Sequence, residues 1–178
     1  DDFGLAVANS LAAFEAGARA ISTSMNGLGE RAGNASLEEI ILGLRLLYGI
    51  EMPFKYEVIY ELSRLVEKYT TMPVPKNKAV IGDNVFAHES GIHVLAVRAE
   101  PLTYEPYSPE FVGQKRRIIL GKHCGMSCID AKLEELRLSV PQSEKETLIL
   151  KIKEMAERGA KVGDKEFKNM VQEILSKG

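Results

Sequence analysis

The sequence predicts an α/β fold that continues into a mostly helical segment. The first 49 residues show a helix, a short strand, a glycine-rich loop and a second helix, which is the succession of an α/β unit. Apolar residues at helical spacing dominate much of the remaining chain. A chain of 178 residues that is 45% apolar and 27% charged can bury a core.

The composition also disfavours nucleic-acid-binding and membrane-spanning proteins. The chain has 23 Lys and Arg against 25 Asp and Glu, without the basic excess typical of nucleic-acid-binding proteins. No stretch approaches the ~18 apolar residues of a membrane span. Two cysteines, Cys124 and Cys128, make neither a disulfide framework nor a metal site by themselves. We therefore expect a cytoplasmic protein with no nucleic-acid or membrane partner.

The first predicted segment, residues 1–49, holds the α/β unit. Residues 5–16 predict a helix because they are rich in Ala and Leu and follow a possible cap, Asp2. Residues 19–25 predict a strand, since they are few, alternate in character and include β-branched side chains.

A glycine-rich loop at residues 26–34 follows the predicted strand. Ser36 and Glu39 then show the S-x-x-E pattern of a capping box, in which each side chain satisfies a backbone N–H of the first turn. This pattern predicts a second helix, which ends at Gly49.

Two further segments are predicted, a helical subdomain with a linker at residues 50–78 and a mostly helical subdomain at residues 79–178. The first contains an amphipathic helix at 56–69 and a proline-containing linker at 72–77. The second is expected to be irregular up to residue 125. Three helices should then follow, at 127–138, 143–157 and 164–176.

The loop at residues 26–34 is the first candidate site, because loops at the carboxyl ends of α/β strands bind ligands. Its G-x-G-x-x-x-G spacing fails the dinucleotide-binding fingerprint by one residue. One interpretation is a tight turn with a salt bridge between Glu30 and Arg31. The other interpretation places Glu30 and Asn34 in a site as oxygen ligands or hydrogen-bond partners.

Two histidines, His88 and His93, lie in the segment A-H-E-S-G-I-H. Their spacing is one residue longer than in the zinc-protease motif H-E-x-x-H, and on a helix they would diverge by about 140°. A shared metal is therefore unfavourable. Each histidine is either structural or, near Tyr104, a general base, since imidazole titrates near neutrality.

A cationic run forms the third cluster. Its members are Lys115, Arg116, Arg117, Lys122 and His123. Such a run is typical of a solvated face. The functional alternative is a site for a phosphorylated or carboxylate ligand, which guanidinium groups bind in a bidentate manner.

Several segments in one order carry a family resemblance. The chain opens with D-D-F-G-L-A-V-A-N-S and continues with N-G-L-G-E-R-A-G-N-A-S-L-E-E. About fifty residues later come F-A-H-E-S-G-I-H, Y-E-P-Y-S-P-E-F-V-G and L-G-K-H. Together these segments closely resemble the 2-isopropylmalate synthase and homocitrate synthase family.

The resemblance implies a (β/α)8 TIM barrel followed by a C-terminal extension of small, mostly helical subdomains. Residues 20–25 resemble the last barrel strand and residues 5–16 the helix before it. Members condense acetyl-CoA with a 2-oxo acid in a Claisen reaction and then hydrolyse the thioester. The resemblance also implies a homodimer and a divalent metal (Zn, Mg or Mn) that polarises the 2-oxo group.

The family motifs also imply roles for residues of this chain. These residues are the catalytic His93, Tyr104 and Glu30, the substrate-binding Asn26 and Arg31, and the metal-ligating Asn34. His93 and Tyr104 would be the acid/base pair that removes a methyl proton from acetyl-CoA. Arg31 would also hold the loop.

The chain departs from the family pattern in several respects. The two metal-binding histidines, the metal-binding acid and the substrate arginine are expected upstream of Asp1, and a (β/α)8 barrel needs about 250 residues. We therefore expect a C-terminal part of a longer protein, inactive and weak in metal binding by itself. Leu95 replaces an expected polar residue, and Cys124 replaces an expected serine.

Three interpretations of function remain open. The first is an acyltransferase of a short, homocitrate-synthase-like type that acts on 2-oxoglutarate, with 2-isopropylmalate or citramalate synthase as alternatives. The short stretch between the motifs and Gly178 favours this type. The second interpretation is a non-catalytic dimerisation or interaction module, and the third is a non-enzymatic α/β binding protein.

Overall fold

The structure is a computed structural model that describes residues 1–176. The chain forms two compact units that interleave along the sequence. The first unit contains residues 1–85 and 109–115, and the second contains residues 86–108 and the described residues from 116 onward. No helix among residues 1–176 is long and apolar enough to cross a membrane.

The first unit is built mainly from helices. The α-helices are α1 (Ala6–Glu15), α2 (Leu37–Leu46) and α3 (Ile59–Thr70). Short 3-10 turns lie at Met25–Gly27, Tyr56–Val58 and Pro109–Val112. The three α-helices confirm the sequence prediction, and Ile40, Ile41 and Leu44 of α2 are buried as their helical spacing predicted.

The predicted strand at residues 19–25 is wrong. Ser24 makes one isolated parallel bridge with Ser36, through hydrogen bonds from Ser24 N to Ala35 O (3.1 Å) and from Leu37 N to Ser24 O (2.9 Å). A strand needs a continuous ladder with a neighbouring strand. The described residues offer this segment only the single bridge, so it lies outside any sheet.

Both predicted helix caps of the first unit are replaced by other contacts. The Asp1 carboxylate, and not that of Asp2, accepts the first backbone N–H of α1 at 2.9 Å. The capping box of Ser36 and Glu39 does not form. Lys78 Nζ binds both side chains instead, Ser36 Oγ at 2.8 Å and Glu39 Oε1 at 2.5 Å.

The second unit combines two short strands with α-helices. These elements are β1 (Ala87–His88), α4 (Gly91–Ala99), β2 (Arg117–Ile118), α5 (Met126–Glu135), α6 (Gln142–Glu157) and α7 (Asp164–Leu175). β1 and β2 pair in parallel, with His88 opposite Ile118. The core lies between the last three helices, where Ile129, Leu148 and Phe167 are fully buried.

The sequence pattern predicted α5, α6 and α7 but not α4. The prediction that the chain is irregular up to residue 125 is therefore wrong over Gly91–Ala99. This helix is short, begins with glycine and contains β-branched residues, which all lower its intrinsic helix propensity. Burial of Val94 and Val97 supplies the packing that stabilises it. His93 therefore lies on α4 and not in an irregular segment.

Residues 109–115 belong to the first unit, although the residues on either side belong to the second. Phe111 stacks on Tyr56 with ring centroids 5.0 Å apart. Gly113 has φ +77° and approaches the Glu57 carbonyl so closely that a Cβ would collide with it. This short segment therefore completes the packing around the start of α3.

Candidate active site

The glycine-rich loop at residues 26–34 is closed by backbone hydrogen bonds. Asn34 N–H donates to Gly27 O and Gly33 N–H donates to Glu30 O, each at 2.9 Å. Gly33 has φ +94°, and a Cβ at this position would collide with Gly27 O. The path of the loop therefore requires glycine at position 33.

Asn34, the predicted metal ligand, is held by its own loop. Its Nδ2 donates to Leu28 O at 3.0 Å, which fixes the orientation of the amide. Gly29 packs against this amide so closely that a Cβ would lie 2.6 Å from Nδ2. The loop thus presents one neutral oxygen, Asn34 Oδ1, in a defined orientation.

Glu30 and Arg31 are both exposed on the loop. Arg31 pairs with Asp2 at 3.2 Å, so the predicted salt bridge between Glu30 and Arg31 is wrong. The pair with Asp2 connects the loop to the residues before α1. Because both partners are exposed, this ion pair stabilises the loop only weakly.

A cavity of about 280 Å³ lies beside the loop, within the first unit. The loop supplies about half of the lining residues, among them Leu28 and Arg31, and α3, the predicted linker and Lys78 supply the others. Its volume is close to the lower limit for pockets that bind small molecules.

Asn26, the first residue of the loop, is anchored by two helices. Its backbone N–H donates to Glu38 Oε2 on α2, and its Nδ2 donates to Ser63 O on α3, each at 3.1 Å. Asn26 itself adopts φ +61°. Glu38 was not among the residues that the sequence pattern singled out, although it lies on the same face of α2 as the buried Ile41 and Leu42.

The second candidate site pairs His93 with Tyr104 in the second unit. The two ring centroids are 4.4 Å apart and the ring planes are inclined by 43°. His93 lies on α4, and Tyr104 directly follows the 3-10 turn Pro101–Thr103. The two side chains therefore meet through a folded loop and not along one helix.

Exposed apolar side chains flank this pair along the chain. Ile92 is 75% exposed, Leu95 63% and Leu102 71%, and the Tyr104 ring is 46% exposed. Leu95, the departure from the family pattern, thus adds apolar surface to α4. Cys124, the other departure, is buried and contributes to the core.

His88 has a different environment, because it is buried on β1. Its Nε2 lies 2.9 Å from Glu105 Oε1, and Arg116 donates Nε to the same oxygen at 2.8 Å and Nη2 to Oε2 at 2.5 Å. Burial alone would raise the pKa of Glu105, but the hydrogen bonds from Arg116 and His88 hold that pKa below the ordinary glutamate value. Because Glu105 directly follows Tyr104, this cluster fixes the backbone that carries the Tyr104 ring.

The members of the cationic run have different partners and belong to different units. Arg116 is bound to the buried Glu105 and acts inside the second unit. Lys115 belongs to the first unit, whereas Lys122 and His123 are exposed residues of the second. Arg116 therefore has a structural partner that the sequence pattern did not reveal.

Two family models match most of the chain. A model described as HMGL-like matches residues 1–66, and a model described as homocitrate synthase post-HMGL domain-like matches residues 80–160. The homocitrate synthase AksA of Methanopyrus kandleri is 54% identical over 175 residues. The chain belongs to the 2-isopropylmalate synthase and homocitrate synthase family.

Other members of the 2-isopropylmalate synthase and homocitrate synthase family are similar to the chain over almost its whole length. The 2-isopropylmalate synthase of Methanocaldococcus jannaschii is 49% identical over 99% of the chain, and the putative (R)-citramalate synthase CimA of Methanosarcina acetivorans is 45% identical over 98%. The chain spans 44% of the length of the Methanopyrus relative and 35% and 36% of these two. The HMGL-like match places residues 1–66 in a TIM-barrel family.

In this member of the 2-isopropylmalate synthase and homocitrate synthase family, the described residues do not form a complete metal site. No group of three or more His, Cys, Asp or Glu side chains that could hold a metal occurs among residues 1–176. A divalent metal needs several donors in fixed geometry. Asn34 Oδ1 is an oxygen donor of the kind that a divalent metal accepts, but residues 1–176 place no such group of donors around it.

We expect Glu105→Gln to destabilise the second unit by about 2 kcal/mol at neutral pH, because the buried charge-assisted hydrogen bonds to Arg116 and His88 are lost. The folded pKa of Glu105 is lowered, so its contribution is fully present above the ordinary glutamate range and declines as pH falls through the folded pKa. Urea unfolding of wild type and variant across this range measures the difference. A difference in stability that grows toward acid pH would contradict the assignment.

Proposed function

We propose that the chain is the C-terminal part of an acyltransferase that condenses acetyl-CoA with a 2-oxo acid. The reaction is a Claisen condensation followed by hydrolysis of the thioester. The observation that carries the proposal is the His93–Tyr104 ring pair, with centroids at 4.4 Å, in a chain that belongs to a family of such synthases. The order of the two family matches supports the C-terminal assignment.

We also propose that residues 1–49 form the end of a (β/α)8 barrel, followed by a helical subdomain and linker at 50–78 and a mostly helical subdomain at 79–178. The α1 helix supports this division, because it buries none of its residues although it is mostly apolar. Phe3 and Leu5 just before it are also exposed. Apolar side chains on this surface are expected where the rest of a barrel would cover them.

In the proposed reaction His93 is the general base. A neutral imidazole nitrogen accepts a proton from the methyl group of acetyl-CoA. The Tyr104 hydroxyl donates a hydrogen bond to the thioester oxygen as enolate charge develops on it. Exposure of both rings leaves them accessible to a substrate.

The glycine-rich loop supplies the remaining proposed contacts. Glu30 lines the site, Asn26 and Arg31 position the 2-oxo acid, and Asn34 offers its amide oxygen to a divalent metal (Zn, Mg or Mn). When bound, such a metal polarises a 2-oxo group as a Lewis acid. We propose that the other metal ligands belong to the upstream part of the protein.

We propose 2-oxoglutarate as the substrate, in a cytoplasmic homodimer of homocitrate-synthase-like type that serves amino-acid biosynthesis. Two relatives named homocitrate synthase are 54% and 51% identical to the chain, against 49% for a 2-isopropylmalate synthase and 45% for a putative citramalate synthase. This difference favours 2-oxoglutarate by a narrow margin over 2-oxoisovalerate and pyruvate.

The test is release of CoA by the full-length protein that contains this chain, with acetyl-CoA and each of the three 2-oxo acids in turn. We expect the highest kcat/KM with 2-oxoglutarate. Faster turnover of 2-oxoisovalerate would assign the protein to the 2-isopropylmalate synthases. If none of the acids gave CoA, the acyltransferase proposal would be wrong, and light scattering would show whether the protein is a dimeric interaction module.

A further inference from the structure

Glu38 is a carboxyl group that the proposed reaction does not use, yet it lies directly beneath the glycine-rich loop. The residue is in the first turn of α2 and its exposed fraction is 0%. Oε2 accepts the backbone N–H of Asn26 at 3.1 Å. Oε1 is buried and has no hydrogen-bond partner among residues 1–176. A buried polar atom without a partner is costly, so this oxygen needs an explanation.

A second buried oxygen without a partner, Asn26 Oδ1, belongs to the residue that Glu38 already contacts. The orientation of the Asn26 amide is fixed, because Nδ2 donates to Ser63 O at 3.1 Å. Exchanging the amide nitrogen and oxygen would therefore put two acceptors face to face. An ionised Glu38 only accepts hydrogen bonds and leaves both oxygens without a donor. A protonated Glu38 carries the missing donor.

The neighbouring cations bind groups other than Glu38, although Arg64 Nε is a buried donor without a partner among residues 1–176. Lys78 Nζ binds Glu39 Oε1 at 2.5 Å and Ser36 Oγ at 2.8 Å. Arg64, beside Ser63 on α3, binds Glu67 at 2.8 Å and the carbonyl of residue 81 at 3.1 Å. Neither cation hydrogen-bonds Glu38 in the described structure.

The direction of the pKa shift of Glu38 agrees with a protonated side chain. Burial raises the pKa of Glu38 above the ordinary glutamate value, and the nearby Glu39 carboxylate adds to the rise. Backbone hydrogen bonds, including the one from Asn26, and the charge of Lys78 lower the pKa, but the effect of burial is larger.

We propose that Glu38 is a positioning residue that remains protonated and shares its Oε1 proton with Asn26 Oδ1, which holds the first residue of the glycine-rich loop in its left-handed conformation. The assignment of the proton is independent of the reaction. Its consequence for catalysis rests on the proposed function, because the loop carries Glu30, Arg31 and Asn34.

The sign of the pH dependence follows from the raised pKa. In the window between the ordinary glutamate value and the folded pKa, the folded protein holds a proton that the unfolded chain has lost. The contribution of Glu38 to stability is therefore fully present below that window. It is lost as pH rises through the folded pKa.

The test compares Glu38→Gln with the matched control Glu39→Gln in the full-length protein, by thermal unfolding from pH 5 to pH 9. Glutamine keeps the acceptor for Asn26 N–H and supplies an N–H donor at the position of Oε1. We expect Tm of Glu38→Gln to equal that of wild type near pH 5 and to exceed it increasingly as pH rises. Glu39→Gln loses the ion pair with Lys78, so its Tm should stay below that of wild type from pH 6 to pH 9.

Two further measurements complete the test. The infrared band of a protonated carboxyl group should be present in wild type at pH 6 and absent in Glu38→Gln. If the full-length protein releases CoA, Glu38→Gln should keep kcat/KM within about threefold of wild type at pH 6, and Glu38→Leu should lower it by about tenfold, since the loop is misplaced.

A Tm deficit of Glu38→Gln that grows with pH would show that Glu38 is ionised, and failure of this variant to fold would show that an amide cannot replace the carboxyl group; either result would overturn the proposal. Absence of the infrared band from wild type would have the same meaning. Absence of CoA release would instead contradict the proposed function alone, because the unfolding and infrared measurements do not depend on it.

Discussion

For the proposed reaction, we expect His93→Ala to lower kcat of the full-length protein by about 10²-fold or more, the range typical of a general base. Tyr104→Phe should have a comparable effect, because it removes the hydroxyl and preserves the ring that packs 4.4 Å from the imidazole. KM for the 2-oxo acid should change little, since the proposed contacts to that substrate lie elsewhere. Steady-state CoA release at saturating acetyl-CoA measures both parameters.

His88→Ala is the matched control for His93→Ala. His88 is buried and bound to Glu105, so its loss should lower Tm and reduce kcat by less than tenfold. If His88→Ala were more damaging to kcat than His93→Ala, the two histidines would have to exchange roles. A His93→Ala enzyme with normal kcat and a raised KM for the 2-oxo acid would also disprove the assignment of the base.

The second large effect is expected at Gly33. A Cβ at this position meets Gly27 O, and φ of +94° is unfavourable for alanine, so Gly33→Ala must displace the loop. Displacement by about 1 Å is enough to lower kcat/KM by about 10²-fold when catalytic groups move with the loop. Activity and Tm of the full-length enzyme should both fall.

Gly17→Ala separates the two causes of this effect. Gly17 has φ +99°, close to that of Gly33, but a Cβ there meets no atom within 4 Å. The control therefore experiences the same backbone strain without the collision. We expect it to lose about 1 kcal/mol of stability and to keep full activity. Equal losses of activity in both variants would show that the collision with Gly27 O is not the cause of the loss.

Helices were predictable from this sequence because their signal is local. The apolar spacing of α2, α3 and the last three helices repeats over several turns. Tertiary packing buries this apolar face in α2 and the last three helices, whereas Leu62 and Leu65 of α3 remain exposed. The segment at 19–25 has a strand-like pattern, but strand formation depends on partners that the pattern does not contain. The same limit applies to the capping box at Ser36, where Lys78, distant in sequence, binds both side chains.

The residues of the candidate site also differ in how far the sequence could predict them. The family resemblance implied that His93 and Tyr104 act as a pair, and their ring centroids lie 4.4 Å apart. The contacts of Glu38 and Glu105 could not be predicted from spacing, because each joins two segments: Glu38 contacts Asn26, and Glu105 contacts Arg116. Buried carboxylates are visible in a sequence only when their helix face is otherwise apolar, and Glu38 meets that condition.

The membership of residues 109–115 in the first unit affects the order in which the protein is completed during synthesis. Phe111 covers the Tyr56 ring, so the first unit lacks part of its packing until the ribosome has released residue 115. By then the segment 86–108 has already emerged, with β1 and α4 but without β2. The first unit therefore cannot be complete until residues 86–108 of the second unit have been synthesised. The two units therefore cannot be separated by a single cut, and a truncation at residue 85 would leave Tyr56 uncovered.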